Sequence, residues 1–168
     1  LAVTADASAF ARWIGRVDGR LILGAGSPHV LEAALTFSRP YGMPTIPGSS
    51  LKGIARAFAR EEVSAGRMEQ EVFDVLFGRA PSADGTDMGD GGYLVFHDAW
   101  WVSDSAPTPC AAEVVTVHHP EYYRTYGRTP ATDFDGPTPC PQLAARGSFL
   151  FSVEGVQEWA EFGLKCLR

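Results

Sequence analysis

The residues best placed to do chemistry in this chain stand between 48 and 60. Gly48, Ser49 and Ser50 precede Lys52, Arg56 and Arg60, and the three cations recur every four residues. On a helix that spacing sets them in one row along a single face. Serines at such a start are of the type that caps the first unpaired N–H groups, and the positive end of the helix dipole adds an affinity for anions. Gly48 permits a sharp turn, while Pro44 and Pro47 stiffen the run that feeds it. Leu51, Ile54, Ala55 and Phe58 fall on the opposite face at core spacing. The chemistry this suggests is the holding of a phosphodiester backbone. A merely solvated basic face carries the same pattern, so spacing alone leaves both readings open. A nucleotide-hydrolysing P-loop is excluded, because there a serine or threonine follows the lysine, whereas Lys52 is followed by Gly53.

A second group lies at 118–124. Tyr122 and Tyr123, with His119 and Arg124, have faces on which unpaired bases can stack, each stack worth ~1–3 kcal/mol. Neighbouring prolines fit equally an insertion packed on itself or on a neighbour. His118 and His119 are adjacent, so an extended chain points them to opposite sides and makes a shared metal difficult. Cys110, Cys140 and Cys166 are odd in number and far apart, which argues against both a disulfide framework and a zinc knuckle. No metal or cofactor is expected. Asp98 reads as a cap or an arginine partner, and Trp100 and Trp101 divide between the core and an interface.

The elements that must position these groups follow from periodicity. The 168 residues suit one domain, 1–168, with a sizeable core. Phe10, Trp13, Ile14 and Val17 fit a short helix over 6–18, Arg20 to Gly24 a buried strand, and Gly24, Gly26 and His29 the turn after it. Val30 to Ser38 reads as a second extended segment and 41–47 as a stiff loop. Helices are expected over 50–64 and 68–77, the latter stopped by Gly78. Residues 79–92 read as an exposed, flexible loop, and Gly92 to Val102 as one long strand. More than half of the twelve prolines fall in 103–147, an insertion too long for a simple connector. A strand at 148–153 and a helix from Val156 complete the order. Strands alternating with helices, and too few for a large parallel sheet, suggest an α+β ferredoxin-like βαββαβ sheet. The last helix is in full period at Arg168, so we expect a chain cut before its C-terminal strand.

The net charge of −6 is unevenly distributed. Residues 1–67 hold eight Lys/Arg against five Asp/Glu, and 68–168 hold six against fifteen. A protein gripping duplex DNA alone should be more basic, but one lending a cationic strip to a larger groove need not be. No apolar run reaches the length of a membrane span, and no secretory leader opens the chain, so a cytoplasmic protein without membrane contact is expected.

The runs Leu23-Gly24-Ala25-Gly26, Leu31-Glu32, Tyr41-Gly42-Met43-Pro44 and Ile46-Pro47-Gly48-Ser49-Ser50-Leu51-Lys52-Gly53, with Arg56, resemble the N-terminal signature of RAMP proteins. These are ferredoxin-like RNA-binding subunits of CRISPR effector complexes. Further landmarks are Leu76-Phe77-Gly78, Gly92-Tyr93-Leu94-Val95-Phe96-His97-Asp98-Ala99 and Val117-His118-His119-Pro120. With Tyr122-Tyr123, Pro130, Asp133, Pro137, Pro139 and Phe149-Leu150-Phe151, they are similar to the branch that supplies the sixth subunit of type III-B (Cmr) complexes.

The resemblance implies a non-catalytic subunit near the 3′ end of the guide RNA in antiviral defence. Its partners would be guide RNA, target RNA and other Cmr subunits. The RNA contacts would be Gly24, Gly26, His29, Gly48, Ser49, Ser50, Lys52, Arg56, Arg60, His119, Tyr122 and Tyr123. In the backbone subunits of such complexes an aspartate shortly after the first strand cuts target RNA, whereas the matching run Ala34-Leu35-Thr36-Phe37-Ser38 has none. An alternative stands beside this one. RAMP endoribonucleases often place a catalytic histidine where His29 lies, and histidine can act as general base on a 2′-OH, giving a metal-independent endoribonuclease. A third reading is an assembly module whose basic row meets acidic neighbours.

Overall fold

A computed structural model describes residues 9–24, 35–82 and 84–168 of the chain. In chain order the described elements are β1 (Phe10–Arg16), β2 (Phe37–Ser38), β3 (Met43–Ile46), α1 (Gly48–Ser64), α2 (Gln70–Phe77), β4 (Gly78–Arg79) and β5 (Asp90–Gly91). They continue as β6 (Val95–Phe96), β7 (Ala99–Trp101), β8 (Cys110–Val117), α3 (Pro120–Arg124), β9 (Thr138–Ala145), β10 (Ser148–Glu154) and α4 (Gln157–Lys165). The result is a mixed α/β fold on an antiparallel sheet in the order β1-β10-β7-β3-β2, with β6 also paired to β10.

β1 corrects the helix expected over 6–18. Phe10, Trp13, Ile14 and Val17 satisfy a period of 3.6, but Ala11 and Gly15 are buried while Arg12, Ile14 and Arg16 are exposed. That is the alternation of a strand. What decides is pairing with β10, from Phe10 opposite Glu154 to Arg16 opposite Ser148, a partner invisible in any local window. The strand expected over 20–24 shrinks to one bridge, in which Leu21 and Ala145 exchange backbone hydrogen bonds of 2.9 and 2.7 Å. Most of the 41–47 loop is instead β3, inserted between β7 and β2. Of the second extended segment, Phe37–Ser38 forms β2, and 30–34 lie outside the described residues.

The expected long strand over 92–102 is broken in two. Phe96 faces Val153 and Trp100 faces Leu150, so three residues, His97, Asp98 and Ala99, stand opposite two, Phe151 and Ser152. This is a β-bulge, and it breaks the in–out alternation. Phe96 and Ala99 both turn into the core, while His97 and Asp98 are both left on the solvent side.

One face of the sheet is covered by helices. Ala11, Phe96, Ala99, Phe149 and Val153 meet Leu51, Ala55 and Ala59 of α1, Phe73, Leu76 and Phe77 of α2, and Ala160 and Leu164 of α4 in one buried cluster. Burying an aromatic such as Phe149 contributes about 2–3 kcal/mol. α2 ends where the sequence indicates, at Gly78, whose φ of +86° suits glycine. Residues 79–92 begin and end in the β4–β5 ladder, and Arg79 forms ion pairs with Asp87 and Asp90 across them.

The 103–147 stretch is largely an antiparallel ribbon, β8 against β9, in register from Cys110 opposite Ala145 to Val117 opposite Thr138. α3 sits near its tip. At its base Arg20 pairs with Glu113 at 3.2 Å and donates to the Ala112 carbonyl.

Candidate nucleic-acid interface

The start of α1 differs from its expected chemistry in one respect. No serine hydroxyl caps the helix: Pro47 holds the N-cap position, and its carbonyl receives the N–H groups of Ser50 (3.0 Å) and Leu51 (3.1 Å). The N–H of Gly48 donates instead to Oδ1 of Asp98 at 2.8 Å. A carboxylate of the chain itself therefore stands where the sequence suggests a phosphate would sit. The bulge puts Asp98 there, and a carboxylate at a positive helix end is stabilising. Gly48 is required for another reason. A Cβ at that position would lie 2.0 Å from the carbonyl oxygen of Phe96, so the helix start presses directly on the bulged strand.

The cationic row divides. Lys52 is half-buried in the first turn, and among the described residues no hydrogen bond or ion pair holds it. Arg56 and Arg60 instead lie over the Phe73 ring of α2, at 5.6 and 5.7 Å from its centroid. Arg56 also directs Nη2 at the Gly78 carbonyl, 3.5 Å away, and its Nε is buried. The core face of α1 is rotated from the expected one. Gly48, Leu51, Ala55 and Ala59 are buried, whereas Ile54 and Phe58 are 59% and 43% exposed.

Gly24 has a φ of +83°, as a glycine turn needs. Gly26 and His29 lie outside the described residues. His119, Tyr122 and Tyr123 are brought together at the ribbon tip. His119 Nδ1 lies 3.0 Å from Oδ2 of Asp135, and the two tyrosine rings meet edge to face at 5.5 Å. The Thr132 N–H and the His119 ring hold the Asp135 carboxyl below the ordinary carboxylate range. Arg124 is engaged by Glu121 at 2.7 Å. Among the described residues no hydrogen bond or ring contact joins this tip group to the α1 row.

Sequence reasoning missed two tip aromatics, Tyr126 and Phe134, which are 96% and 99% exposed. An aromatic beside glycine or aspartate in a proline-rich run was the available signal. It also missed His97, whose Nε2 lies 2.8 Å from Oε2 of Glu154. The described residues contain no group of three or more side chains suited to a metal ion, and no helix long and apolar enough to cross a membrane.

The model of the RAMP superfamily matches residues 16–163. The CRISPR system Cmr subunit Cmr6 of Pyrococcus furiosus is 42% identical over 41 residues, which make up 24% of this chain and 12% of that protein. A chain of the type III-B Cmr-beta complex, solved bound to cognate target RNA, superimposes with a TM-score of 0.65 at 18% identity. That match covers 94% of this chain but only 50% of the other. The crystal structure of Cmr6 from Pyrococcus furiosus gives a TM-score of 0.50 at 20% identity, over 95% of this chain and 89% of that one. At those identities the likeness to the solved structures is one of fold.

Proposed function

Because the chain belongs to the RAMP superfamily, we propose that it is a non-catalytic structural subunit of a type III-B (Cmr) CRISPR effector complex, holding guide RNA near its 3′ end in antiviral defence. Other Cmr subunits and target RNA are its further partners, and the cytoplasm is its compartment. The strand order β1-β10-β7, with α1 between β1 and β7 in the chain and α1 and α4 packed on one face, supports a ferredoxin-like core. In that core the outer edge of β1 is where a fourth strand of the motif would pair. The β8–β9 ribbon is its insertion.

One observation carries the RNA reading. Among the described residues Lys52 has no hydrogen-bond or ion-pair partner, and it stands in the first turn of the helix whose Pro-Gly-Ser-Ser-Leu-Lys-Gly start carries the family resemblance. With Asp98 occupying the backbone N–H of Gly48, Lys52 is the group left to meet a phosphate. The test is guide binding by the assembled complex across a salt series. Lys52→Ala should weaken binding and reduce the log–log salt slope by about one. Wild-type affinity and slope in that variant would sink the assignment.

The absence of catalysis is tested separately. The chain incubated with repeat RNA in EDTA should leave it intact. A specific cut that disappears in His29→Ala would replace this reading with the endoribonuclease.

A further inference from the structure

The helices cover one face of the sheet, and the other face is built from a different set of side chains. On β1 it presents Phe10, Arg12, Ile14 and Arg16, and on β10 Leu150 and Ser152. β7 adds Trp100, opposite Leu150, and the bulge adds His97 and Asp98. Phe10, Arg12, His97, Asp98, Trp100, Leu150 and Ser152 line a single cleft on this face.

We propose that this cleft binds an unpaired nucleobase of single-stranded RNA, a contact separate from the α1 start. Three features of the site argue for that occupant. First, the aromatic side chains Trp100 and Phe10 line the cleft together with Leu150. Trp100 is braced edge-on by Tyr41 at 5.6 Å, and the Phe10 ring is flanked by the His97 ring at 5.6 Å and the Arg12 guanidinium at 5.4 Å. A braced indole loses little freedom when a base stacks on it.

Second, the charges on the face are unequal in availability. Glu154 is engaged by His97 at 2.8 Å and Asp98 by the helix start. Arg12 and Arg16 are exposed and, among the described residues, form no ion pair with an acid. The two acids are thus committed within the protein, while two cations on one strand face are left for a phosphate on either side of the base. Third, the bulge is what opens the cleft. It turns His97 and Asp98 to the same side, and without it one of the two would point into the core. A sheet face that combines stacking rings with flanking arginines suits single strands, whose bases are free to splay, and not duplexes, whose bases are paired and stacked.

The inference rests on the reading that the chain contacts RNA, and its test separates the two. The full chain is titrated at low salt with a fluorescent single-stranded oligoribonucleotide and, in parallel, with the same sequence as a duplex. Wild-type protein should prefer the single strand. Trp100→Leu, which keeps apolar bulk but removes the ring, should weaken binding about tenfold or more. Arg12→Gln, an exposed change that leaves the core untouched, should reduce the salt slope by about 0.7. Crosslinks from a 4-thiouridine probe should map to the peptide carrying Trp100. No binding by the wild type, no preference for the single strand, or wild-type affinity in both variants would overturn the cleft. Wild-type behaviour of both cleft variants together with a loss in Lys52→Ala would overturn the cleft and leave the α1 contact standing.

Discussion

The Asp98 carboxylate accepts the N–H of Gly48 at 2.8 Å, joining a bulge in the sheet to the first residue of a helix fifty positions earlier in the chain. The bond satisfies one of the four N–H groups that a helix start leaves open and sets a negative charge at its positive end. It also makes the helix start a filled anion site. Asp98→Ala should destabilise the fold by about 1 kcal/mol in urea denaturation, and Asp98→Asn, which still accepts a hydrogen bond, by much less. An alanine variant as stable as the wild type would show that the cap is idle.

The same contact makes Gly48 and its serines unequal. A Cβ on Gly48 would press on the Phe96 carbonyl, so Gly48→Ala should cost about 2 kcal/mol or more and lower the yield of folded protein. Ser49→Ala and Ser50→Ala remove no cap and should stay within about 0.5 kcal/mol of wild type. A large loss from either serine change would contradict the geometry of the start.

Arg56 and Lys52 lie one turn apart on α1, and their substitutions should separate. Arg56→Ala strips the guanidinium from the Phe73 ring and should destabilise by about 1 kcal/mol, mostly through packing. Lys52→Ala should leave the unfolding midpoint unchanged. Equal midpoints for the two variants would mean that Arg56 also belongs to the solvated face.

The β8–β9 ribbon has one blocked edge. Ala145 spends its N–H and C=O on Leu21, so they point away from β8, and Pro141 and Pro139 share that outward phase four and six pairs along. Neither proline has an N–H to offer a further strand. The double change Pro139→Thr with Pro141→Thr should therefore promote concentration-dependent association in sedimentation velocity. A variant that stays monomeric wherever the wild type does would leave the prolines without this role.

Asp84 gives a pH prediction. Hydrogen bonds from the Ser82 hydroxyl, then from the hydroxyl and N–H of Thr86, lower its carboxyl from 3.8 to about 2. Its contribution to the loop is present in full above pH 3.8 and is lost as the pH falls through about 2. Carboxyl-carbon NMR should show a midpoint near the lower value, moving upward in Ser82→Ala. A midpoint near 3.8 in the wild type would remove the bonds from solution.

Much of the helical framework was legible in the sequence because it is local. The 3.6-residue spacing of apolar positions marks α1, α2 and α4, Gly78 marks the end of α2, and the Pro-Gly-Ser-Ser-Leu-Lys-Gly run marks the family. Which face of α1 is buried was less legible. Ile54 and Phe58 fit the apolar stripe, yet Gly48 presses on Phe96 and it is Ala55 and Ala59 that are buried.

Neighbours within a few positions were enough to set the cationic row, the Pro-Gly-Ser-Ser run at the helix start and the family they resemble. Long-range packing set three things: that 10–16 is a strand, that Asp98 fills the helix start, and that Arg56 and Arg60 turn to Phe73 while Lys52 pairs with none of the described residues. The physical reason is the same for each. A strand needs its pairing partner and a helix end takes whichever acceptor reaches it. Both partners here come from distant parts of the chain, Ser148–Glu154 for β1 and Asp98 for Gly48, where no local pattern records them.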